Sequence, residues 1–196
     1  MNDRISFLTQ RRSAGTLVAP GPSREQLDHI LGAAGAVPDH GNLRPYRFAV
    51  IEGDGRAAFG QALADTAAER RPDMPVAKLE GTKAKAFRSP TIIAVIASPK
   101  PGKIETWEQV VTASCAGYAL VLAAYALGVG AVWKSVPFTK GKALAQLFGM
   151  NDQEEMLGWI HLGTAEQEEA SPRAPLDVSS VTTLIDGNGA SPYRPA

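Results

Sequence analysis

The spacing of apolar residues along the chain predicts several helices separated by short strands. Ser23 and Gln26 form a capping box that precedes apolar residues at i, i+3, i+4 and i+7, so the best marked helix begins there. Similar spacing, bounded by charged residues or glycine, predicts helices over Asp3 to about Gln10, Arg56–Arg70, Val76–Phe87, Glu105–Leu127 and residues 140–149.

Four short apolar runs rich in β-branched and aromatic residues predict strands: YRFAVIE (46–52), TIIAVIAS (91–98), GAVWKS (130–135) and MLGWIHLG (156–163). The order of helices and strands has no regular βαβ cadence, and neither a G-x-G-x-x-G after a strand nor a Walker A sequence occurs. We therefore expect an α+β domain spanning residues 1–196, with an open sheet flanked by helices.

The last thirty or so residues differ in composition from the rest. They are rich in Pro, Ser, Glu and Gly and carry one apolar patch, VSSVTTLI (178–185). Such a segment buries little surface by itself. We expect a core over about 3–164 and an extended C-terminal tail over 165–196, which is either loosely ordered or packed on another surface such as a second subunit.

The segment from Val110 to Trp133 contains no charged residue and is long enough to cross a bilayer. Small residues make up about half of it and Gly128 interrupts its end, whereas membrane spans are dense in Leu, Ile and Phe. A helix that is apolar all round is also typical of a buried core. We expect a central core helix here and no membrane span.

Charge and cysteine content narrow the possible partners. Twenty Lys and Arg residues balance twenty Asp and Glu residues, so the overall charge does not recruit nucleic acid or an anionic membrane. The single cysteine, Cys115, excludes an intramolecular disulfide and a Cys-rich metal site, and it fits a reducing compartment. Since the N-terminus lacks a signal-peptide pattern, we expect a cytoplasmic protein.

Hydrolytic and metal chemistry are poorly supported. No serine lies in a G-x-S-x-G context, and His29 and His161 fall inside predicted elements, where a structural role is expected. Asp39 and His40 form one adjacent pair without a third ligand at helical spacing. We therefore expect neither a catalytic triad nor a metal site.

Basic side chains at the ends of elements are more informative. Arg11, Arg12 and Ser13 close the first helix, and two guanidinium groups beside a hydroxyl can grip a phosphate. A cation pair that merely favours a helix C-terminus is the alternative.

The end of the third strand carries a second candidate group. Trp133, Lys134 and Ser135 could supply an apolar plane, a positive charge and a donor to a planar heteroaromatic ligand. A core tryptophan beside a solvated lysine is the alternative.

These motifs, taken in order, resemble the nitroreductase family of FMN-dependent NAD(P)H oxidoreductases, and most of all its compact YdjA-like branch. They are RRS (11–13), VPDHGNLRPYRFAVIEG (37–53), a long Ala-rich helix running into GVGAVWKS (128–135), and GWIHLGT (158–164). The family loop commonly reads P-S-x-x-N-x-Q-P-W before a strand, and Pro38, Asn42 and Pro45 are in register with it. The resemblance covers about Asp3 to Thr164.

The resemblance implies a nitroreductase-like fold with a mostly antiparallel or mixed sheet, in a homodimer that holds FMN at its subunit interface. Arg11, Arg12 and Ser13 would bind the FMN phosphate and ribityl chain. His40 and Asn42 would reach the cofactor from the partner subunit. The remaining matched positions are the cofactor segment Trp133, Lys134 and Ser135, and the NAD(P)H region Ala123, Ala124, Tyr125, Ala126, Leu127 and Gly128.

Two departures from the family pattern concern the phosphate. Many relatives have a basic residue soon after the serine, whereas Ala14 and Gly15 follow Ser13 here. No Lys-x-Arg pair follows Gly163, and Arg173 is the tail candidate.

The implied activity is hydride transfer from NAD(P)H through bound FMN to an electron acceptor such as a nitroaromatic or quinone, in ping-pong order. A flavin carries the redox chemistry itself, so the lack of a protein nucleophile agrees with this activity. A non-catalytic FMN-binding protein, a flavin-dependent dehydrogenase of an organic substrate, and an α+β domain with unrelated charged loops are the alternatives.

Overall fold

The computed structural model describes residues 3–135, 141–166, 174–187 and 189–195. Its α-helices are α1 (Asp3–Gln10), α2 (Arg24–Gly32), α3 (Gly55–Arg70), α4 (Val76–Lys83), α5 (Thr106–Ala126) and α6 (Lys142–Leu147). Its strands are β1 (Leu17–Val18), β2 (Tyr46–Glu52), β3 (Thr91–Ala97), β4 (Gly130–Lys134), β5 (Glu155–Ala165), β6 (Thr183–Asp186) and β7 (Gly189–Pro192). Four 3₁₀ turns occupy Ala33–Ala36, His40–Asn42, Ala84–Phe87 and Val178–Val181.

Strand β5 is the central strand of a five-stranded sheet in which the pairings are antiparallel. Leu162 of β5 pairs with Thr91 of β3 on one side and with Ala131 of β4 on the other. Strand β2 pairs with the far side of β3, and β1 pairs with the end of β5 at Thr164 and Ala165. The α+β class and the antiparallel sheet flanked by helices are therefore as expected.

Helices cover both faces of the sheet, so β3 is buried along its whole length. Its side chains alternate between two apolar clusters, as the period of a strand requires. Ile93 and Val95 pack with α2 and α5. Ile92, Ala94 and Ile96 pack with α3.

Helix α5 is the core helix expected from its composition. It is the one helix among the described residues that is long and apolar enough to cross a membrane. Eight of its residues are nevertheless buried inside the chain, including Ala113, Ala116, Leu120 and Ala124. Its apolarity is thus explained by burial against the sheet.

Most predicted boundaries agree with the structure to within two residues, the uncertainty inherent in assigning helix ends. The Ser23 capping box forms in both directions, with Ser23 and Gln26 each bonding the other's backbone amide. The helix predicted over 140–149 is observed as Lys142–Leu147, and Lys140 lies outside the described residues. Three strands were not predicted: the short β1, and β6 and β7, which pair as a hairpin in the tail.

Candidate functional site

A cleft of about 620 Å³ opens where the end of α1 meets the end of α5, and we call it the α1–α5 cleft. Its walls include the predicted phosphate motif Arg11, Arg12 and Ser13. Tyr125 and Gly128, from the predicted NAD(P)H region, line the same cleft. The structure therefore brings these two groups of predicted residues together.

Aromatic contacts hold the end of α1 against α5. The rings of Phe7 and Tyr125 stack with centroids 5.1 Å apart. The Arg11 guanidinium carbon lies 5.9 Å from the centroid of the Tyr118 ring, within range of a cation–π contact. Arg11 is thus half-buried and oriented by α5, whereas Arg12 and Ser13 are exposed.

The segment after Ser13 runs alongside β4. The backbone amide of Ala14 donates to the carbonyl of Ala131 at 3.0 Å. Val121, Val129 and Ala131 add an apolar wall to the same cleft. The cleft thus combines two guanidinium groups, a hydroxyl and an apolar surface, which suits a ligand with an anionic end and a flat apolar body.

The other residues of the predicted NAD(P)H region lie at the end of α5. Ala124 is buried in the core, Ala123 is half-buried against it, and Ala126 and Leu127 are exposed. Gly128 has φ of +69°, a conformation that suits glycine, and it directly follows Leu127, the C-cap residue of α5.

The Trp133 ring packs against α5, and this residue does not line the α1–α5 cleft. A Cβ added at Gly117 of α5 would overlap the Trp133 ring, and a Cβ added at Gly158 would lie 2.6 Å from its Nε1. The two glycines therefore form a slot for the indole. The side chain has the core position that was the alternative for this residue.

Lys134 points to the opposite face of the sheet, where it lines a cavity of about 230 Å³. We call this the β4–β5 cavity. Its lining residues are Gly15, Leu17, Lys85, Arg88, Val132, Lys134, Ser135, Trp159 and His161. Since Gly15 also lines the α1–α5 cleft, the two cavities adjoin across the segment that follows Ser13.

His161 is the most buried titratable side chain of the β4–β5 cavity, with 3% of its surface exposed. Ser89 Oγ donates to the carbonyl of Thr91 at 3.0 Å and lies 2.8 Å from His161 Nδ1. The single hydroxyl proton is then committed to Thr91, so Nδ1–H donates to Ser89. Burial, together with the positive charges of Arg88 and Lys134, lowers the pKa of His161 from 6.5 to about 4.

Sequence reasoning missed Lys85, Arg88 and Ser89 as neighbours of Lys134, and gave His161 only a structural role. The available signal was the basic segment KAKAFRS immediately before β3, read together with a histidine inside β5. Strands β3 and β5 pair, so the residues that flank β3 meet the inward-facing residues of β5.

His40 and Asn42 lie on a tight turn at the other end of α5. Left-handed backbone conformations at Gly41, Asn42 and Arg44 bend this turn. The Asp39 carboxylate fixes it by accepting from the amides of Leu43 and Arg44, at 3.1 and 2.7 Å.

The His40 turn is far from the α1–α5 cleft of its own chain. His40 Nδ1 lies 2.8 Å from the carboxylate of Glu108 in the first turn of α5, whereas Tyr125 of the cleft is in the last turn. At 1.5 Å rise per residue, the intervening helix separates them by about 25 Å. The structure therefore does not bring His40 and Asn42 to the other predicted cofactor residues within one chain.

Arg47, in the same sequence motif, has a structural partner. Its guanidinium makes two 2.7 Å bonds to the carboxylate of Glu154, whose side chain is 5% exposed, and a third to the carbonyl of Phe148. The hydrogen bonds from Arg47 are the largest cause of a Glu154 pKa lowered to about 2. Arg47 thus ties β2 to the segment before β5.

In the part of the chain that the structure describes, no group of three or more His, Cys, Asp and Glu residues could hold a metal ion. Arg173, the tail candidate for the phosphate, lies outside the described residues.

The sequence profile of the Nitroreductase family matches residues 8–164, which is most of the chain. The chain belongs to the nitroreductase family. It is 36% identical over 165 residues to the provisionally named NAD(P)H nitroreductase YdjA of Escherichia coli K12, covering 84% of this chain and 89% of that protein. It is 35% identical to a provisionally named NAD(P)H nitroreductase of Haemophilus influenzae, covering 93% and 100%.

Solved structures show the same fold. A nitroreductase-like family protein from Bacillus cereus superposes with a TM-score of 0.78 at 21% identity, over 93% of this chain and 96% of that one. A provisionally named nitroreductase from Desulfovibrio desulfuricans, solved in complex with FMN, superposes with a TM-score of 0.68 at 25% identity, over 90% of this chain and 94% of that one. Membership of the family makes this chain an oxidoreductase.

Proposed function

We propose that this nitroreductase passes a hydride from NAD(P)H to an electron acceptor such as a nitroaromatic or quinone, and that the nicotinamide leaves before the acceptor binds. FMN, when bound, supplies the hydride chemistry, and the protein supplies binding, orientation and electrostatics. The observation that carries the proposal is the α1–α5 cleft, in which the RRS motif faces an apolar wall. We also assign the protein to the cytoplasm, from its single cysteine.

The donor set of the cleft fits FMN. Arg11 and Arg12 neutralise the phosphate and Ser13 adds a hydroxyl donor, a combination that makes strong charge-assisted bonds. A volume of about 620 Å³ is within the usual range for ligands larger than a single ring. Tyr125 and Gly128 form the surface that NAD(P)H contacts at the end of α5.

At the end of β4, Lys134 and Ser135 line the β4–β5 cavity, which adjoins the α1–α5 cleft at Gly15. Lys134 supplies positive charge toward the flavin carbonyl edge, and Trp133 holds the strand end in place from its glycine slot.

The remaining predicted residues require a second subunit. His40 and Asn42 are about 25 Å from the cleft of their own chain along α5, so they serve a cofactor only in a homodimer that shares its sites. Trp107, Val111 and Tyr118 leave an exposed apolar stripe along α5, which suits contact with a second copy. In the tail, Leu184 and Ile185 are also exposed, and a partner subunit would cover them.

The visible absorption spectrum of the purified protein tests the cofactor assignment. We expect flavin bands at nearly one FMN per chain. The variant Arg11→Ala/Arg12→Ala should stay folded and lose most of its FMN, because both phosphate cations are gone. The control Arg70→Ala/Arg71→Ala removes a similar arginine pair at the end of α3 and should retain FMN. Full occupancy in the first variant would overturn the assignment of the RRS motif.

Turnover and assembly are tested separately. NAD(P)H oxidation with a nitroaromatic or quinone should follow parallel-line kinetics, and an FMN-loaded protein without turnover would instead be a flavin-binding protein. Light scattering should give the mass of two chains. A monomer that holds FMN tightly would refute the shared site.

A further inference from the structure

The β4–β5 cavity has an unusual charge balance. Lys85 and Arg88, from the segment before β3, and Lys134, from the end of β4, contribute three positive charges, and no acidic residue of the described part of the chain lines the cavity. None of the three cations forms a salt bridge with a carboxylate among the described residues. Lys85 is half-buried and Arg88 and Lys134 are exposed. An anion bound in the cavity would interact favourably with all three charges, which no lining carboxylate offsets.

The neutral His161 supports this conclusion. It adds no counter-charge, and its Nδ1 is already bonded to Ser89. Burial is the largest cause of the lowered His161 pKa, and the positive charges of Arg88 and Lys134, which an anionic ligand would neutralise, lower that pKa further. Three basic side chains repel a cation and give no advantage to a neutral apolar ligand.

The other walls indicate what carries the negative charge. Leu17, Val132 and the buried Trp159 give the cavity apolar and aromatic surface beside the cations. A free inorganic anion would leave that surface without a partner, whereas a carboxylate on an aromatic ring uses both kinds of wall. At about 230 Å³ the cavity is smaller than the pockets that bind drug-sized ligands, so it fits a single ring.

We propose that the β4–β5 cavity binds the carboxylate end of a single-ring organic acid, and that acceptors bearing a carboxylate are the preferred acceptors of this enzyme. The binding site stands on the cavity alone, while its use by acceptors rests on the proposed function. The cavity adjoins the α1–α5 cleft at Gly15, so an acid held there lies next to the proposed cofactor site.

Binding is measured first on protein freed of FMN, by calorimetry with benzoate and with benzamide as the neutral analogue of the same shape. We expect benzoate to bind at least about tenfold more tightly, since one charge-assisted hydrogen bond provides more than that ratio. The ring signals of His161 in NMR spectra should shift with benzoate and thereby locate it in this cavity. Equal affinity for the two compounds would overturn the proposal.

The double variant Lys85→Gln/Arg88→Gln removes two of the cations. It should weaken benzoate binding by about tenfold or more, for the same reason. The matched control Lys78→Gln/Lys103→Gln has the same charge change at two exposed positions outside the cavity, and should bind benzoate as the native protein does. Equal loss in both variants would mean that overall charge, and not the cavity, attracts the acid.

The FMN-loaded enzyme then shows which molecule uses the cations. For 4-nitrobenzoate the cavity variant should raise KM about tenfold or more, and for 4-nitrobenzamide it should leave KM unchanged. Unchanged KM for both acceptors would remove the acceptor preference. If the variant instead loses FMN, the cations hold the cofactor and the proposal fails. A protein that never binds FMN but still binds benzoate would refute the proposed function and leave the acid site standing.

Discussion

The buried, neutral His161 makes the stability of this protein depend on pH in a defined window. Its pKa is about 4 in the folded chain and 6.5 without the fold. Well above pH 6.5 both states are neutral at this residue, so it contributes no pH dependence there. As the pH falls from 6.5 towards 4, His161 binds a proton in the unfolded chain but not in the folded chain, so the free energy of unfolding decreases.

The size of this effect follows from the two pKa values. The full difference corresponds to about 3 kcal/mol, and about 2 kcal/mol of it is lost between pH 7.5 and pH 5. Urea unfolding at these two pH values measures it directly, in buffers without carboxylates. The variant His161→Gln keeps a polar group beside Ser89 but does not titrate.

Comparing the two proteins isolates the single residue, because every other titrating group is common to both. We expect the stability of the native protein to fall by about 2 kcal/mol more than that of His161→Gln over this range. Parallel losses in the two proteins would show that His161 is not held neutral by the fold. The argument from burial beside Arg88 and Lys134 would then be refuted.

Two further predictions concern packing and charge in the core. Gly117→Ala should destabilise the protein by about 1–3 kcal/mol, because the added methyl group overlaps the Trp133 ring. The control Gly81→Ala in α4, where a Cβ meets open space, should be neutral or stabilising. Urea unfolding compares the two variants, and equal stabilities would contradict the close packing of Trp133 against Gly117. Glu154→Gln should cost about 2 kcal/mol at pH 7, since it leaves the partly exposed Arg47 without its counter-charge. In the native protein the same stabilisation should disappear as the pH falls from 4.5 towards 2. Thermal melts measure this loss, and a melting temperature that stays constant over that pH range would contradict it.

Local patterns in the sequence were sufficient for most of the fold. The Ser23 capping box, the apolar spacing of α5 and the β-branched run of β3 each determine their own element within a few residues. Strand β1 is only two residues long and forms by pairing with β5, so no periodicity in its own sequence could reveal it.

The candidate site was harder to predict because it depends on contacts between distant segments. Trp133 and Lys134 are neighbours in sequence, yet the pleat of β4 sends their side chains to opposite faces of the sheet. Lys85 and His161 are 76 positions apart by their residue numbers and meet only because β3 pairs with β5. Motif order identified the family, while the division into two adjoining cavities required the three-dimensional arrangement.

The length of α5 between the His40 turn and the α1–α5 cleft has a genetic consequence. In the proposed dimer each active site takes its phosphate residues from one copy and its turn from the other. One copy lacking Arg11 and Arg12 and another lacking His40 and Asn42 would each assemble inactive homodimers. Mixed together, they would form heterodimers in which both lesions fall on one site and the second site is intact. Co-expression of the two defective alleles should therefore restore activity that neither allele has alone.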